Sequence, residues 1–371
     1  MDGQMKQLLI FVNSMNAFGG IERVIANLSN RFTSYYDVTI LVKDLPKSAY
    51  QLNEKVKIES LNCPLIMNMG SRLQRILSVP INSILSIIKL RKYLKNSDFD
   101  VVYTAFPTNG FEVYLAEKSY RNKIVASEHA SYYAYNKVYN NLKKYLYPKL
   151  PAISVPTTMD TEIYKGFGYN AEYIPHLTTY DSIENVNKQS HTIINVGRLT
   201  SDKQQMILLK IWEMVNDRIP QHDWKLQIIG SGEEEANLRS YIKQRELVNV
   251  EMIPHTSNIK EYYNNAELFV FTSKMEGFGM VLLEAMSFGV PCISFDCPSG
   301  PRDIIEDNRN GYLIPCYDEE LFAEKICEYI QKNSELKEKM QQEAIDTIRN
   351  WNNDNIIQKW LSLFASLEKK I

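Results

Sequence analysis

Short apolar runs rich in β-branched residues recur along the chain and alternate with stretches whose apolar positions fall three and four apart. The first run, "QLLIFVNS", leads through "MNAFGG" into "IERVIANLSNRF", where Ile21, Val24, Ile25 and Leu28 keep helical spacing. This reads as strand, Gly-rich turn and helix. The later runs "DVTILV", "DVVYTAF", "KIVASEH" and "AISVPT" are short and read as strands. Strands alternating with helices predict an α/β fold with a parallel sheet covered on both faces. Residues 180–190, "YDSIENVNKQS", are polar and aperiodic and form the best linker. The alternation then restarts with "TIINVGR", "KLQIIG", "VEMIP", "LFVFTS" and "PCISF", and Ile207, Leu208, Ile211 and Val215 mark a helix between strands. A second doubly wound domain is therefore expected. No repeat with a period of roughly 20–50 residues appears, which argues against a solenoid. Residues 352–371 predict a last helix with Ile356, Ile357, Trp360, Leu361 and Phe364 on one face.

Composition agrees with two domains, since 371 residues exceed one ordinary core. The balance of 42 basic against 44 acidic residues argues against nucleic-acid binding through bulk charge. The halves differ. Residues 1–186 carry 21 basic and 16 acidic side chains (+5), leaving 21 and 28 (−7) for the rest. The apolar run near the start is too short for a signal peptide or a spanning helix, so a cytoplasmic protein is expected. Five cysteines, Cys63, Cys292, Cys297, Cys316 and Cys327, suit free thiols in a reducing compartment. Cys292 and Cys297 lack a second Cys/His pair at zinc spacing. Asp98 and Asp100 form an Asp-x-Asp pattern, but they precede their strand and read as a solvated turn.

The chemistry concentrates in "SKMEGFGMVLLEAM", which sets Glu276 and Glu284 eight positions apart around Gly277-Phe278-Gly279. A strand ends before this turn and a helix begins near Gly279 or Met280. Ligands of open α/β sheets collect outside the carboxyl ends of the strands. Free amides at a helix start suit a phosphate or a row of hydroxyls. A carboxylate among apolar neighbours, as at Glu284, needs donors, and the vicinal hydroxyls of a ribose supply two. The alternative is that Glu276 favours the helix N-terminus and Glu284 lies on the surface of a short helix. At another strand end, Arg198 and Lys203 in "GRLTSDK" are spaced to clamp a diphosphate, the alternative being an exposed basic pair. Gly19 and Gly20 in "FGGIER" offer a backbone site for an anion or sugar. His129 in "SEHAS" marks one more strand end. "IIGSGEEE" has Glu235 in place of a third fingerprint glycine, and its acids would repel a pyrophosphate, which argues against a dinucleotide-binding dehydrogenase.

Glu276 with seven residues to Glu284, Arg198 with Lys203, the "FGGIE" loop and "CPSGPRDIIEDNRNGYLIP" together resemble glycosyltransferase family 4, the retaining, metal-independent transferases of the GT-B fold. The resemblance implies two Rossmann-like domains facing a cleft: 1–186 on the acceptor side, completed by the helix 352–371, and 191–350 on the nucleotide-sugar donor side. It implies that Glu284 holds the ribose and Glu276 the sugar being moved. The amides of Phe278, Gly279 and Met280 would meet sugar and phosphate, with Gly277 and Val281 beside them in the donor site. Arg198 and Lys203 would neutralise the departing diphosphate in place of a metal. Gly19 and Gly20 would approach the donor phosphate, and His129 the anomeric centre. Pro254 and His255, within 252–258, would contact the base, most often uracil. No cofactor and no metal are expected.

The implied reaction moves a hexose or N-acetylhexosamine from a UDP-sugar to a glycan, polysaccharide or lipid-linked acceptor. Loss of Glu276 is expected to spare binding of free nucleotide, whereas loss of Glu284 is not. Rival readings are a nucleotide-sugar epimerase of the same fold and a non-catalytic nucleotide-sugar-binding protein. Two basic stretches, 66–95 with Arg72, Arg75, Lys89, Arg91, Lys92 and Lys95, and 131–149 with Lys137, Lys143, Lys144, Lys149 and several tyrosines, suit an anionic membrane. The first would equally serve as a helix packed on its sheet, and the tyrosines would equally stack on sugar rings.

Overall fold

The computed structural model describes residues 5–64, 72–180 and 190–368, with side chains from 72–81 and 368 left aside. Two compact units emerge, Met1–Leu177 with Asn353–Ile371, and Thr178–Asn352. The expected linker opens the second unit, and its residues 181–189 lie outside the described residues.

The first unit runs β1 (Lys6–Val12), α1 (Gly20–Phe32), β2 (Tyr36–Val42), β3 (Lys57–Ser60), α2 (Arg72–Lys95) and β4 (Val101–Thr104). It continues with α3 (Pro107–Ala116), β5 (Ile124–Ser127), α4 (Lys137–Leu146), β6 (Ala152–Val155), α5 (Thr158–Gly166) and β7 (Ala171–Tyr173). All seven strands are parallel, in the order β3-β2-β1-β4-β5-β6-β7. β1 lies at the centre, with Leu8 opposite Val38 on one side and Val101 on the other. Helices cover both faces, so the central strands are apolar without alternation. Leu8 to Val12 are all buried.

The second unit runs β8 (Thr192–Val196), α6 (Gln205–Arg218), β9 (Lys225–Ile229), α7 (Glu235–Gln244), β10 (Val250–Ile253), α8 (Ile259–Asn265) and β11 (Leu268–Phe271). It closes with α9 (Met280–Ser287), β12 (Cys292–Phe295), α10 (Pro301–Ile304), β13 (Gly311–Ile314), α11 (Glu319–Gln331) and α12 (Ser334–Asn350). Its six parallel strands follow the order β10-β9-β8-β11-β12-β13. Strand order reverses between β1 and β4 in the first sheet and between β8 and β11 in the second. Each reversal opens a crevice at the carboxyl ends, because the crossovers on either side lead to opposite faces.

The last helix, α13 (Asn353–Glu368), belongs to the first unit. It buries Ile356, Ile357, Trp360, Leu363, Phe364 and Leu367. Trp360 meets Phe32 and Tyr103 with ring centres 6.2 and 5.5 Å apart, and Phe364 lies 5.4 Å from Phe32. Leu361, expected on the same face, is only half-buried, and Leu363 takes its place.

Candidate functional site

In the second unit β8 ends in the loop carrying Arg198. Backbone bonds hold this loop to the end of β9: Gly197 N–H donates to the Ile229 carbonyl (3.1 Å) and Leu199 N–H to the Ser231 carbonyl (3.0 Å). A β-carbon at Gly230 would fall 1.9 Å from the Gly197 oxygen, and one at Gly232 2.2 Å from the Leu199 oxygen. The glycines of "IIGSGEEE" thus let two strand ends touch. Arg198 is exposed, and its carbonyl accepts from the Gln205 amide at 2.9 Å.

Beyond Arg198, Thr200 donates its hydroxyl to Asp202 at 2.5 Å. Burial pushes the Asp202 carboxyl up, but Thr200, Lys203 and Arg198 outweigh it and hold the group below its ordinary range. Both predicted cations therefore act on one carboxylate. The Lys203 carbonyl is tied to the end of β11 by the Thr272 hydroxyl at 3.2 Å.

Lys203 reaches Glu276 directly: Nζ donates to Oε1 at 2.5 Å, with both side chains largely buried. Glu276 is held in turn by the loop after β12, since its N–H donates to the Pro298 carbonyl (2.8 Å) and its carbonyl accepts from Ser299 N–H (3.3 Å). The turn then passes through Gly277 and Phe278 to Gly279, which caps α9 with φ +90°. Phe278 is buried against Trp351, with ring centres 5.9 Å apart. Gly300 backs this turn: its φ is +103°, and a β-carbon there would lie 2.0 Å from the Phe278 oxygen. Only glycine fits both the conformation and the space. Met280 and Val281, half-buried, form the first turn of α9, where unsatisfied amides and the helix dipole favour negative charge.

Glu284 departs from the surface alternative. It is buried, 3 % exposed, and accepts hydrogen bonds from the Tyr263 hydroxyl (3.1 Å) and the Thr179 hydroxyl (3.2 Å). Pro254 and His255 are exposed after β10, and His255 N–H donates to the Ser231 hydroxyl at 3.2 Å.

Gly19, Gly20 and His129 belong to the first unit. Gly19 precedes α1 at the carboxyl side of β1, and the Tyr50 hydroxyl donates to its carbonyl at 3.2 Å. A β-carbon at Gly20 would meet nothing within 4 Å. His129 follows β5. Its Nε2 lies 2.8 Å from the Tyr103 hydroxyl, and its ring stacks on His176 with centres 5.3 Å apart. Burial pushes its pKa down to about 3, so the ring is neutral at physiological pH. It can orient a ligand as a neutral ring and carries no charge to offer an anion.

One basic residue is corrected. Lys143, expected to face a membrane, is buried: its ammonium donates to Glu128 (2.9 Å) and the Tyr164 hydroxyl (2.7 Å) and stands 3.2 Å from the centre of the Tyr135 ring. Tyr147 donates to the same Glu128. Tyr135 and Tyr147 of this segment, with Tyr164, surround the lysine, whereas Tyr133 and Tyr145 remain exposed. Among the described residues no group of three or more His, Cys, Asp and Glu side chains is arranged to hold a metal ion. Cys292 and Cys297 are both buried.

Sequence reasoning missed Gly300, His176, Tyr263 and Thr179. Gly300 stands in "CPSGPRD", where a glycine beside prolines signals a special turn. The other three carried no local signal, because their importance comes from what folds onto them.

Residues 18–176 match the sequence profile of "Glycosyltransferase Family 4", and residues 178–347 that of "Glycosyl transferases group 1". The chain is 26% identical over 370 residues to the amylovoran biosynthesis glycosyltransferase AmsD of Erwinia amylovora, covering 96% of this chain and 99% of the relative. It is 25% identical over 372 residues to a Campylobacter jejuni protein, the GalNAc-alpha-(1->4)-GalNAc-alpha-(1->3)-diNAcBac-PP-undecaprenol alpha-1,4-N-acetyl-D-galactosaminyltransferase, covering 98% and 99%. The fold is similar to that of a variant of S. aureus TarM crystallised with fondaparinux, alpha-GlcNAc-glycerol and UDP, with TM-score 0.79, 17% identity and coverage of 97% of this chain and 100% of that one. With profiles of the family matched in both units and a relative matched along nearly the whole length, the chain belongs to glycosyltransferase family 4 and is a glycosyltransferase of the GT-B fold.

Proposed function

We propose that the protein is a retaining, metal-independent transferase that moves a hexose or N-acetylhexosamine from a UDP-sugar to a glycan, polysaccharide or lipid-linked acceptor. The observation that carries this reading is the convergence of Arg198, Lys203 and Glu276 on the switch point between β8 and β11, beside the amides of Gly279, Met280 and Val281. Two cations, Lys203 held and Arg198 exposed, and a helix N-terminus would offer a departing diphosphate the charge that a divalent metal would otherwise supply. Glu276 would accept hydroxyls of the transferred sugar. Glu284, with Tyr263 and Thr179 on it, retains acceptor capacity for a ribose. The names of two relatives favour the donor class: the Campylobacter protein is an N-acetylgalactosaminyltransferase acting on an undecaprenol-linked acceptor, and the TarM crystal contains UDP.

Transfer or donor hydrolysis should survive a chelator and fall at least tenfold in Glu276→Ala and in Lys203→Ala, the order expected from losing one charge-stabilising group, about 1.4 kcal/mol or more. Activity that appears only with added divalent metal would overturn the metal-independent part. An epimeric sugar formed from donor alone would instead make the enzyme an isomerase.

A lipid-linked acceptor requires access to a membrane surface. The exposed parts of two helices in the first unit favour it: α2 presents Ile84, Leu85 and Ile88 with Lys89, Arg91, Lys92 and Lys95, and α4 presents Val138 and Tyr145 with Lys137 and Lys144, followed by Lys149. Apolar side chains ringed by cations suit an anionic interface. Arg72 and Arg75 lie outside the described side chains.

A further inference from the structure

Lys203 and Glu276 are assigned to different parts of a donor, the diphosphate and the sugar, yet in the protein they hold each other at 2.5 Å with side chains 19 % and 11 % exposed. Arg198, by contrast, is exposed and has no side-chain hydrogen bond or ion pair among the described residues. The two cations of the clamp are therefore not equivalent. One is available to an incoming phosphate, and the other already has a carboxylate partner. Both backbones are fixed, Lys203 through Thr272 and Glu276 through Pro298 and Ser299, so only the side chains need to turn for the pair to part.

We propose that the Lys203–Glu276 pair discriminates the intact nucleotide-sugar donor from free nucleoside diphosphate. The inference rests on the donor site proposed above and adds a selectivity to it. A diphosphate that recruits Lys203 strips Glu276 of its partner and leaves a largely buried carboxylate without a donor, which costs binding energy. An intact donor compensates, because the sugar hydroxyls replace the ammonium on Glu276. A nucleoside diphosphate brings no hydroxyl to that position and must bind against the pair. Once the sugar has left, Glu276 competes again for Lys203, which weakens the hold on the remaining diphosphate and favours its release. Glu276 is thus a specificity-determining residue as well as a sugar ligand, and its loss does not merely spare the nucleotide.

The test is calorimetric titration of wild type, Glu276→Gln, Glu276→Ala, Lys203→Met and the Glu276→Gln/Lys203→Met double variant with UDP, GDP, ADP and dTDP, and with the sugar conjugates of whichever diphosphate binds wild type best. Glu276→Gln should bind that free diphosphate about two- to tenfold more tightly than wild type, the range set by a partly buried ion pair. The matching nucleotide sugar should gain nothing or bind more weakly. In the Lys203→Met background the gain should vanish, which a general loosening of the site would not produce. Glu276→Ala should shift diphosphate affinity in the same direction, so a folding defect peculiar to one variant does not decide the outcome. Equal or weaker diphosphate binding in both Glu276 variants overturns the discrimination while leaving the donor site intact. Wild type that binds no nucleotide and no nucleotide sugar overturns both.

Discussion

His129 and His176 form a stacked pair of rings, and burial lowers the pKa of each, with His129 adding to the effect on His176. The pair has a consequence for pH that can be signed. An unfolded histidine titrates near 6.5, so above that pH neither state takes up a proton at these rings. As pH falls through 6.5 towards the lower folded values, the unfolded chain binds protons that the native chain refuses, and stability is lost. His176→Phe keeps a flat ring on His129 but removes one titration. Its melting temperature should therefore fall less than that of wild type between about pH 7 and about pH 5, as followed by circular dichroism. An identical fall in both proteins would show that His176 titrates normally. Glu284 makes a related point about single residues. The sequence shows an acid among apolar neighbours, but the hydroxyls that satisfy it, on Tyr263 and Thr179, lie 21 and 105 positions away.

At the scale of elements, the proposed donor site is a set of loops leaning on one another at the ends of β8, β9, β11 and β12. The turn from Glu276 to Gly279 is held from outside itself, by the loop after β12 at Glu276 and by Trp351 against Phe278. Gly300→Ala forces a β-carbon against the Phe278 carbonyl at a left-handed φ, so the turn or the loop must move. Backbone strain alone predicts a loss of about 1–3 kcal/mol, and nucleotide binding should weaken because the α9 amides shift with the turn. Chemical denaturation and calorimetry on Gly300→Ala would check both, and unchanged stability and affinity would mean that the loop yields freely. Asp296–Cys316 and Asp296–Arg302 contacts brace the same loop from the other side, the latter through two hydrogen bonds of 2.9 and 2.7 Å.

For the whole molecule, the question is where it works. No described helix is long and apolar enough to cross a membrane, and the membrane contact proposed above rests on the exposed side chains of α2 and α4. The protein should co-sediment with phosphatidylglycerol vesicles and not with phosphatidylcholine vesicles. Binding should fall in Ile84→Ser/Ile88→Ser and with rising salt, since apolar insertion and charge attraction both contribute. Indifference to lipid charge would remove the basic faces from the account. What the sequence by itself determined was the repeating plan and the positions of the candidate residues. Period-2 and period-3.6 patterns are local, and strands buried on both faces must be apolar throughout, so β1, β2, β8 and β11 stand out. The half-exposed β3 (KIES) and the three-residue β7 (AEY) carry no apolar run, and β13 (GYLI) escaped because its run is only three residues long behind a glycine. Glu276, Glu284, Arg198 and Lys203 stood out as candidates because ligands of open parallel sheets collect at strand ends. Tertiary structure alone decided who holds whom: Lys203 on Glu276, Lys143 inside a tyrosine cage, Glu284 under Tyr263, α13 against the first sheet. Those pairings depend on distances between strand ends and helices far apart in the chain, and spacing along one chain does not encode which charge will find which partner once water is excluded.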